Sequence, residues 1–262
     1  MTLPIHAVQL DSVWENKAAN FAKVRSLLAA SPPAPGSLIV LSEMFATGFS
    51  CQISVTAEAE GAETETFMQS LAAEYQSCVI GGVVTTNTTG KARNQALAIS
   101  SSGEVLARYT KMQPFSLGGE AEVHERGSTP VVFEWGGFKI APLICYDLRF
   151  PEPAREAVRL GAEVLIYIAA WPVKRVQHWI TLLQARAIEN QAYLIGVNRC
   201  GQEPQFSYNG RSLVVDPLGI IIADGGEREQ VLHSSLDPQV MHDWRAMFPA
   251  LRDAGLLSRV ES

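Results

Sequence analysis

The segment FKIAPLICYDLRFPEPAREAVRLGAEVLIYIA, residues Phe138 to Ala169, carries the reading of the fold. Phe138 to Ile144 reads as a strand, Glu152 to Leu160 as a helix, and Val164 to Ala169, an unbroken apolar run, as a second strand. Upstream, Val131 to Trp135 is joined to the first strand by Gly136-Gly137, a hairpin signal. Further towards the N-terminus, strands are predicted at Ile5 to Leu10, Leu38 to Leu41, Cys78 to Thr85, Asn94 to Ser100 and Glu104 to Thr110, and helices at Asn16 to Ala30 and Thr64 to Tyr75. Downstream, a long helix is predicted from Val173 to Asn190. It is followed by strands at Tyr193 to Asn198, Ser212 to Val215, Ile220 to Ala223 and Val231 to Ser235, with a turn at Asp216-Pro217-Leu218-Gly219. Strand–helix alternation and antiparallel runs occur together. They predict mixed sheets covered by helices, a layered α/β fold.

The bulk properties narrow the function classes. The chain of 262 residues is 47% hydrophobic and 18% charged, enough for one sizeable core. No repeat or linker divides it, and residues 1–262 read as one domain. A net charge of -6 without a basic stripe argues against a nucleic-acid partner. No run of 18 apolar residues is present, so no membrane span is expected. Met1 to Leu10 lacks a basic start and reads as no signal peptide. Cys51, Cys78, Cys145 and Cys200 form no CxxC pair, which argues against a zinc ribbon or a redox dithiol. A chain of this size does not need disulfides, so a reducing cytoplasm is the expected setting. Cys78, within CVIGGVV, reads as a small buried hydrophobe, and so do Cys51 and Cys200.

Three polar residues follow apolar strands: Glu43, Lys111 and Cys145. Ligands of α/β sheets bind outside the carboxyl ends of strands, so neighbouring strands would bring the three together. Their chemistry fits. A thiol is only slightly ionised at neutral pH and needs a base or a nearby cation before it attacks a carbonyl. A carboxylate can take the thiol proton and later activate water. An ammonium can stabilise a developing oxyanion, and the backbone N–H of Tyr146 at the turn after Cys145 is a candidate second donor.

The surrounding residues carry a resemblance. Leu41-Ser42-Glu43-Met44-Phe45-Ala46-Thr47-Gly48-Phe49, Tyr109-Thr110-Lys111-Met112-Gln113-Pro114-Phe115 and Leu143-Ile144-Cys145-Tyr146-Asp147-Leu148-Arg149-Phe150-Pro151-Glu152 resemble, in that order, the three catalytic segments of the nitrilase, or carbon-nitrogen hydrolase, superfamily. The stretches Ala170-Trp171-Pro172, His178-Trp179, Ala185 to Tyr193 and Gly196 to Arg199 are also similar, so the resemblance spans nearly the whole chain. It implies a four-layer αββα sandwich with two mixed β-sheets, a Glu43–Lys111–Cys145 triad and a second active-site glutamate, Glu120, with Glu122 and Glu125 as solvated neighbours. It implies no metal or organic cofactor. The Trp-Pro and Ala185 to Tyr193 stretches look closest to the omega-amidase branch, which acts on 2-oxoglutaramate-like acids. Gln113, Ala170 and His124 depart from the residues common at those sites, and the departures bear on substrate.

Phe115, Trp171 and Arg175 join Tyr146 as candidate substrate contacts, with Arg126 as an alternative cation for a substrate carboxylate. Trp179 reads as packing. Asp147 and Arg149 are expected to pair and fix the turn, and His178 to be structural. The partners implied are a small amide and water, and a second copy of the chain, with Trp244 to Leu257 as the apolar segment for pairing. Competing readings are a Cys–His hydrolase using His178 or His124, another superfamily reaction (nitrilase, N-carbamoyl hydrolase or acyltransferase), and a catalytically silent binding protein.

Overall fold

The computed structural model of the chain describes residues 2–86 and 90–256. Among these, two six-stranded sheets form the centre. The first contains β1 (Leu3–Gln9), β2 (Leu38–Val40), β3 (Cys78–Thr86), β4 (Ala92–Ile99) and β5 (Val105–Thr110). The second is built from β6 (Phe133–Trp135), β7 (Phe138–Ile144), β8 (Val164–Ala169), β9 (Tyr193–Asn198), β12 (Leu213–Val215) and β13 (Ile221–Asp224). Between β9 and β12 lies a separate hairpin of β10 (Cys200–Gln202) and β11 (Ser207–Asn209). The last strand, β14 (Gln230–Leu236), returns to pair antiparallel with β1. The sheet orders are β14-β1-β2-β3-β4-β5 and β13-β12-β9-β8-β7-β6. In each, the central strands (β1, β2 and β3; β7, β8 and β9) run parallel and the flanking ones antiparallel.

Strand periodicity explains the layers. In β1 and β2 alternate side chains face opposite ways. Leu3, Ile5, Ala7, Leu38 and Val40 join one core with Phe138, Ile140, Leu143 and Ile166 of the second sheet. Val8 and Ile39 join another core with Val24 and Leu28 of the helix Lys17–Ala30 and Phe67, Met68 and Leu71 of the helix Glu63–Glu74. Beyond the second sheet, Ala154, Ala157 and Val158 of the helix Pro151–Arg159 and Trp179, Leu183 and Ala187 of the helix Val176–Asn190 close the fourth layer. With both faces buried, the central strands read as continuous apolar runs.

The expected αββα sandwich is present, with element ends shifted by a residue or two. One larger difference is at Val173, where a 3-10 turn (Val173–Arg175) after Pro172 precedes the helix that starts at Val176. Another is the β10–β11 hairpin, whose short strands carry Gly, Gln, Ser and Asn and no periodic pattern. The helix Pro238–Met247, capped by the Asp237 side chain on Gln239 N–H, was also absent from the sequence reading. No helix among the described residues is long and apolar enough to cross a membrane.

Candidate active site

Glu43, Lys111 and Cys145 meet in the structure, but their strands are not neighbours. β2 and β5 are separated by β3 and β4, and β7 lies in the other sheet. Stacking of the sheets brings the carboxyl ends together. Gly82 permits the approach of Glu43: a Cβ there would stand 2.3 Å from Met44 N and 2.8 Å from Glu43 Cα.

The three groups sit in a dense polar cluster. Lys111, 1% exposed, donates to Glu43 Oε1 at 2.8 Å and to Glu120 Oε2 at 2.7 Å. Asn94 on β4 donates to the same two carboxylates, at 2.8 and 2.7 Å. Ala170 N–H, just past β8, donates to Glu43 Oε2 at 2.9 Å, and Phe115 N–H to Glu120 Oε2 at 2.6 Å. Burial alone would lower the Lys111 pKa, yet the two glutamates hold it well above its ordinary value, so it is an ammonium. Burial works against ionisation of Glu120 too, but Lys111 and the Asn94 and Phe115 donors outweigh it and keep it a carboxylate. Cys145 shows the opposite balance. Burial and the Glu43 carboxylate push its thiol well up, against the pull of Lys111. The Cys145 side chain is therefore held as a neutral thiol beside Glu43.

Cys145 occupies a left-handed backbone conformation (φ 43°), rare for a non-glycine residue and costly by roughly 1–3 kcal/mol. It begins the single 3-10 turn Cys145–Arg149 that leads into the helix Pro151–Arg159. The expected Asp147–Arg149 pair is not formed. Asp147 Oδ2 accepts from Tyr109 O–H at 2.7 Å and Ile144 N–H at 3.0 Å, and Oδ1 from Gln113 N–H at 2.8 Å. Arg149 turns the other way, over the Trp171 ring at 4.7 Å and 2.8 Å from His178 Nδ1. The helical register of the turn separates the two side chains, and Asp147 takes its donors from Tyr109 of β5, from Gln113 just beyond it and from Ile144 of β7.

A narrow cleft opens at Cys145, lined by Phe49, Phe115, Tyr146, Trp171, Phe206 and Tyr208, among others, with Arg149 and Arg175 also in its lining. Of the sequence candidates, Phe115, Tyr146, Trp171 and Arg175 line it. Arg126 does not; it is exposed elsewhere. Glu122 is exposed, and Glu125 is bound by Arg93 at 3.0 Å. Trp179 is fully buried, its indole N–H on Arg211 O at 2.7 Å. Neither His178, which is exposed, nor His124, which is buried, lines the cleft.

Sequence reasoning missed Asn94, Arg149, Phe206 and Tyr208. Asn94 is a polar residue inside an apolar strand, 1% exposed, and that interruption was the available signal. Tyr208 lies on the hairpin that carried no pattern. Its hydroxyl donates to Glu203 at 2.7 Å, and Glu203 also accepts from Phe49 N–H at 2.8 Å and pairs with the buried Arg199, which ties the hairpin to the cleft. Asn198 holds Trp171 in the lining, accepting from its N–H at 2.7 Å. Among the described residues, no group of three His, Cys, Asp or Glu side chains is arranged to hold a metal ion.

The chain is similar to known amide hydrolases. The chain is 37% identical, over 96% of each protein, to omega-amidase YafV of Yersinia enterocolitica. It is 30% identical to 2-oxoglutaramate amidase of Bacillus subtilis, over 97% of this chain and 98% of that one. Its fold superposes with a TM-score of 0.91, at 33% identity and 97% coverage of both chains, on XC1258 from Xanthomonas campestris, a CN-hydrolase superfamily protein with an arsenic adduct in the active site. Residues 5–246 match the carbon-nitrogen hydrolase family model, and the chain belongs to that family.

Proposed function

We propose that the protein is an omega-amidase, hydrolysing the terminal carboxamide of a short 2-oxo dicarboxylic acid such as 2-oxoglutaramate to the acid and ammonia. The observation that carries the substrate reading is the pair of guanidiniums, Arg149 and Arg175, in the wall of the cleft that holds Cys145. Among the described residues neither forms an ion pair with a carboxylate; they rest on the rings of Trp171 and Phe115. Cations left unpaired in a partly buried wall favour an anionic ligand, and a guanidinium fork matches a carboxylate. Relatives named omega-amidase and 2-oxoglutaramate amidase support the same substrate class.

The steps balance on the residues present. Glu43 takes the thiol proton of Cys145, and the thiolate adds to the amide carbon. Two Lys111 N–H bonds go to Glu43 and Glu120; the third, with Tyr146 N–H, serves the oxyanion. Collapse passes the proton from Glu43 to the departing ammonia and leaves a thioester. Glu43 then deprotonates a water that adds to the thioester, and the second collapse returns the proton to sulfur and releases the acid. Glu120 and Asn94 keep Lys111 and Glu43 oriented throughout. Residues 1–262 act as one domain, in a cytoplasmic setting and as a homodimer or larger homo-oligomer.

The test is ammonia release with 2-oxoglutaramate against a neutral amide of similar length. kcat/KM should favour 2-oxoglutaramate by roughly a hundredfold, as expected when one substrate leaves buried polar groups unpaired. Arg175→Ala should remove most of that ratio. Equal values for the two substrates in the wild type, or a preference for a nitrile, would overturn the substrate assignment.

A further inference from the structure

We infer that Asp147 is a positioning residue that staples the two sheets together at the site and so sets the placement of Lys111 relative to Cys145. The inference rests on Lys111 and Cys145 acting as proposed above. The residues stapled are the immediate neighbours of both groups. Ile144, bound through its N–H, precedes Cys145 at the end of β7. Tyr109 and Gln113, bound through a phenol and a backbone N–H, flank Lys111 at two residues on either side. The Tyr109 oxygen also accepts from Met112 N–H at 3.3 Å, so the chain on both sides of Lys111 is tied to one carboxylate. β5 and β7 belong to different sheets, so the bonds to Tyr109 and Gln113 cross the sandwich while the bond to Ile144 anchors the carboxylate at the end of β7.

The side chain is fully buried and surrounded by donors. Burial pushes its carboxyl up to about 7 even against those donors and Lys111. A carboxylate is costly to bury, and three donors from two sheets are what it acquires in exchange. An amide of the same shape cannot replace it. Oδ2 faces a phenol O–H and an N–H, and Oδ1 faces an N–H. Whichever oxygen the NH2 of asparagine replaces, it meets a backbone N–H, donor against donor. Relief requires the Lys111 loop and the Cys145 turn to move apart.

The experiment counts active sites and turnover separately. Cys145 occupancy is read by intact mass after acid quench with 2-oxoglutaramate, and kcat is expressed per acylated site. Asp147→Asn should lower kcat per site at least tenfold with KM within threefold, since no Asp147 contact reaches the cleft wall that holds the substrate. Tyr109→Phe removes one of the three bonds without introducing a donor clash, and should lower kcat per site in the same direction by a smaller factor. If Asp147→Asn does not fold, Tyr109→Phe decides. Wild-type kcat per site in either folded variant overturns the staple, however much its melting temperature falls. A wild type that forms no acyl adduct on Cys145 instead overturns the thioester reading of the site, so the two failures are distinguishable.

Discussion

Each group at the centre of the site is unusual for its type. Cys145 is buried and strained, Lys111 is buried and ionised, and Glu43 is fully buried with Lys111, Asn94 and Ala170 N–H as donors. Cys145→Ala should abolish turnover, and the wild type should carry a covalent acyl group on Cys145, read by mass spectrometry of the trapped protein; an active alanine variant would refute the nucleophile. Glu43→Gln and Lys111→Ala should each lower kcat by on the order of a hundredfold or more, as for loss of a general base or an oxyanion donor. His178→Ala should cost far less, because His178 is exposed and reaches the cleft only through Arg149. If the histidine variant is dead while Glu43→Gln works, a Cys–His mechanism replaces this one. At this scale the sequence was informative wherever a polar residue ended an apolar run, as with Glu43, Lys111 and Cys145. It was silent on Arg149, whose partner depends on the rotation of one turn, and on Asn94, whose role needs two carboxylates from distant segments.

The elements explain how such groups are held. Gly82 lies in β3, yet its lack of a side chain serves the loop after β2. Gly82→Ala should displace Glu43 and lower kcat at least tenfold; activity per folded molecule checks it, and near-wild-type turnover would show that the loop can yield. The outer face of the β1–β14 pair carries a pH-sensitive contact. His6 and His233 are cross-strand partners in an edge-on ring contact at 4.8 Å. Burial, with His233 beside it, lowers the His6 pKa to about 4. The folded chain thus binds its proton more weakly than the unfolded one, so stability present above about 6.5 is lost as pH falls towards 4. Between pH 6.5 and 5, before most carboxylates titrate, the loss should be on the order of 1 kcal/mol after allowance for solvent screening. A melting curve of His6→Phe should be flatter with pH over that window; an identical slope would remove His6 as the cause. Strand and helix positions were largely readable because burial on one or both faces imposes a period. The β10–β11 hairpin was not, since Glu203, Tyr208 and Arg199 hold it through side-chain bonds that leave no apolar rhythm.

For the whole molecule, strand–helix alternation together with antiparallel runs pointed to mixed sheets covered by helices, and the four-layer sandwich was implied by the family resemblance; the pairing of the two sheets was not legible in the pattern, because it depends on which faces meet rather than on any local period. The same holds for assembly. Met247 is 75% exposed and Phe248 53%, an apolar end to the helix Pro238–Met247; Leu257, the far end of the segment expected to pair, lies outside the described residues. Light scattering at micromolar concentration should give a dimer or larger species, and Phe248→Lys should shift it towards monomer; monomer alone in the wild type would refute the assembly. The split of the site between the sheets has a further consequence. Glu43, Lys111 and Asn94 come from one sheet, Cys145 and Ala170 N–H from the other, and neither half of the molecule holds a working set. Chemistry thus requires one sheet to be closed on the other. A chain with its sheets apart is inert, and catalytic competence becomes a reporter of their closure: activity in denaturant should be lost no later than the structure and should never outlast it.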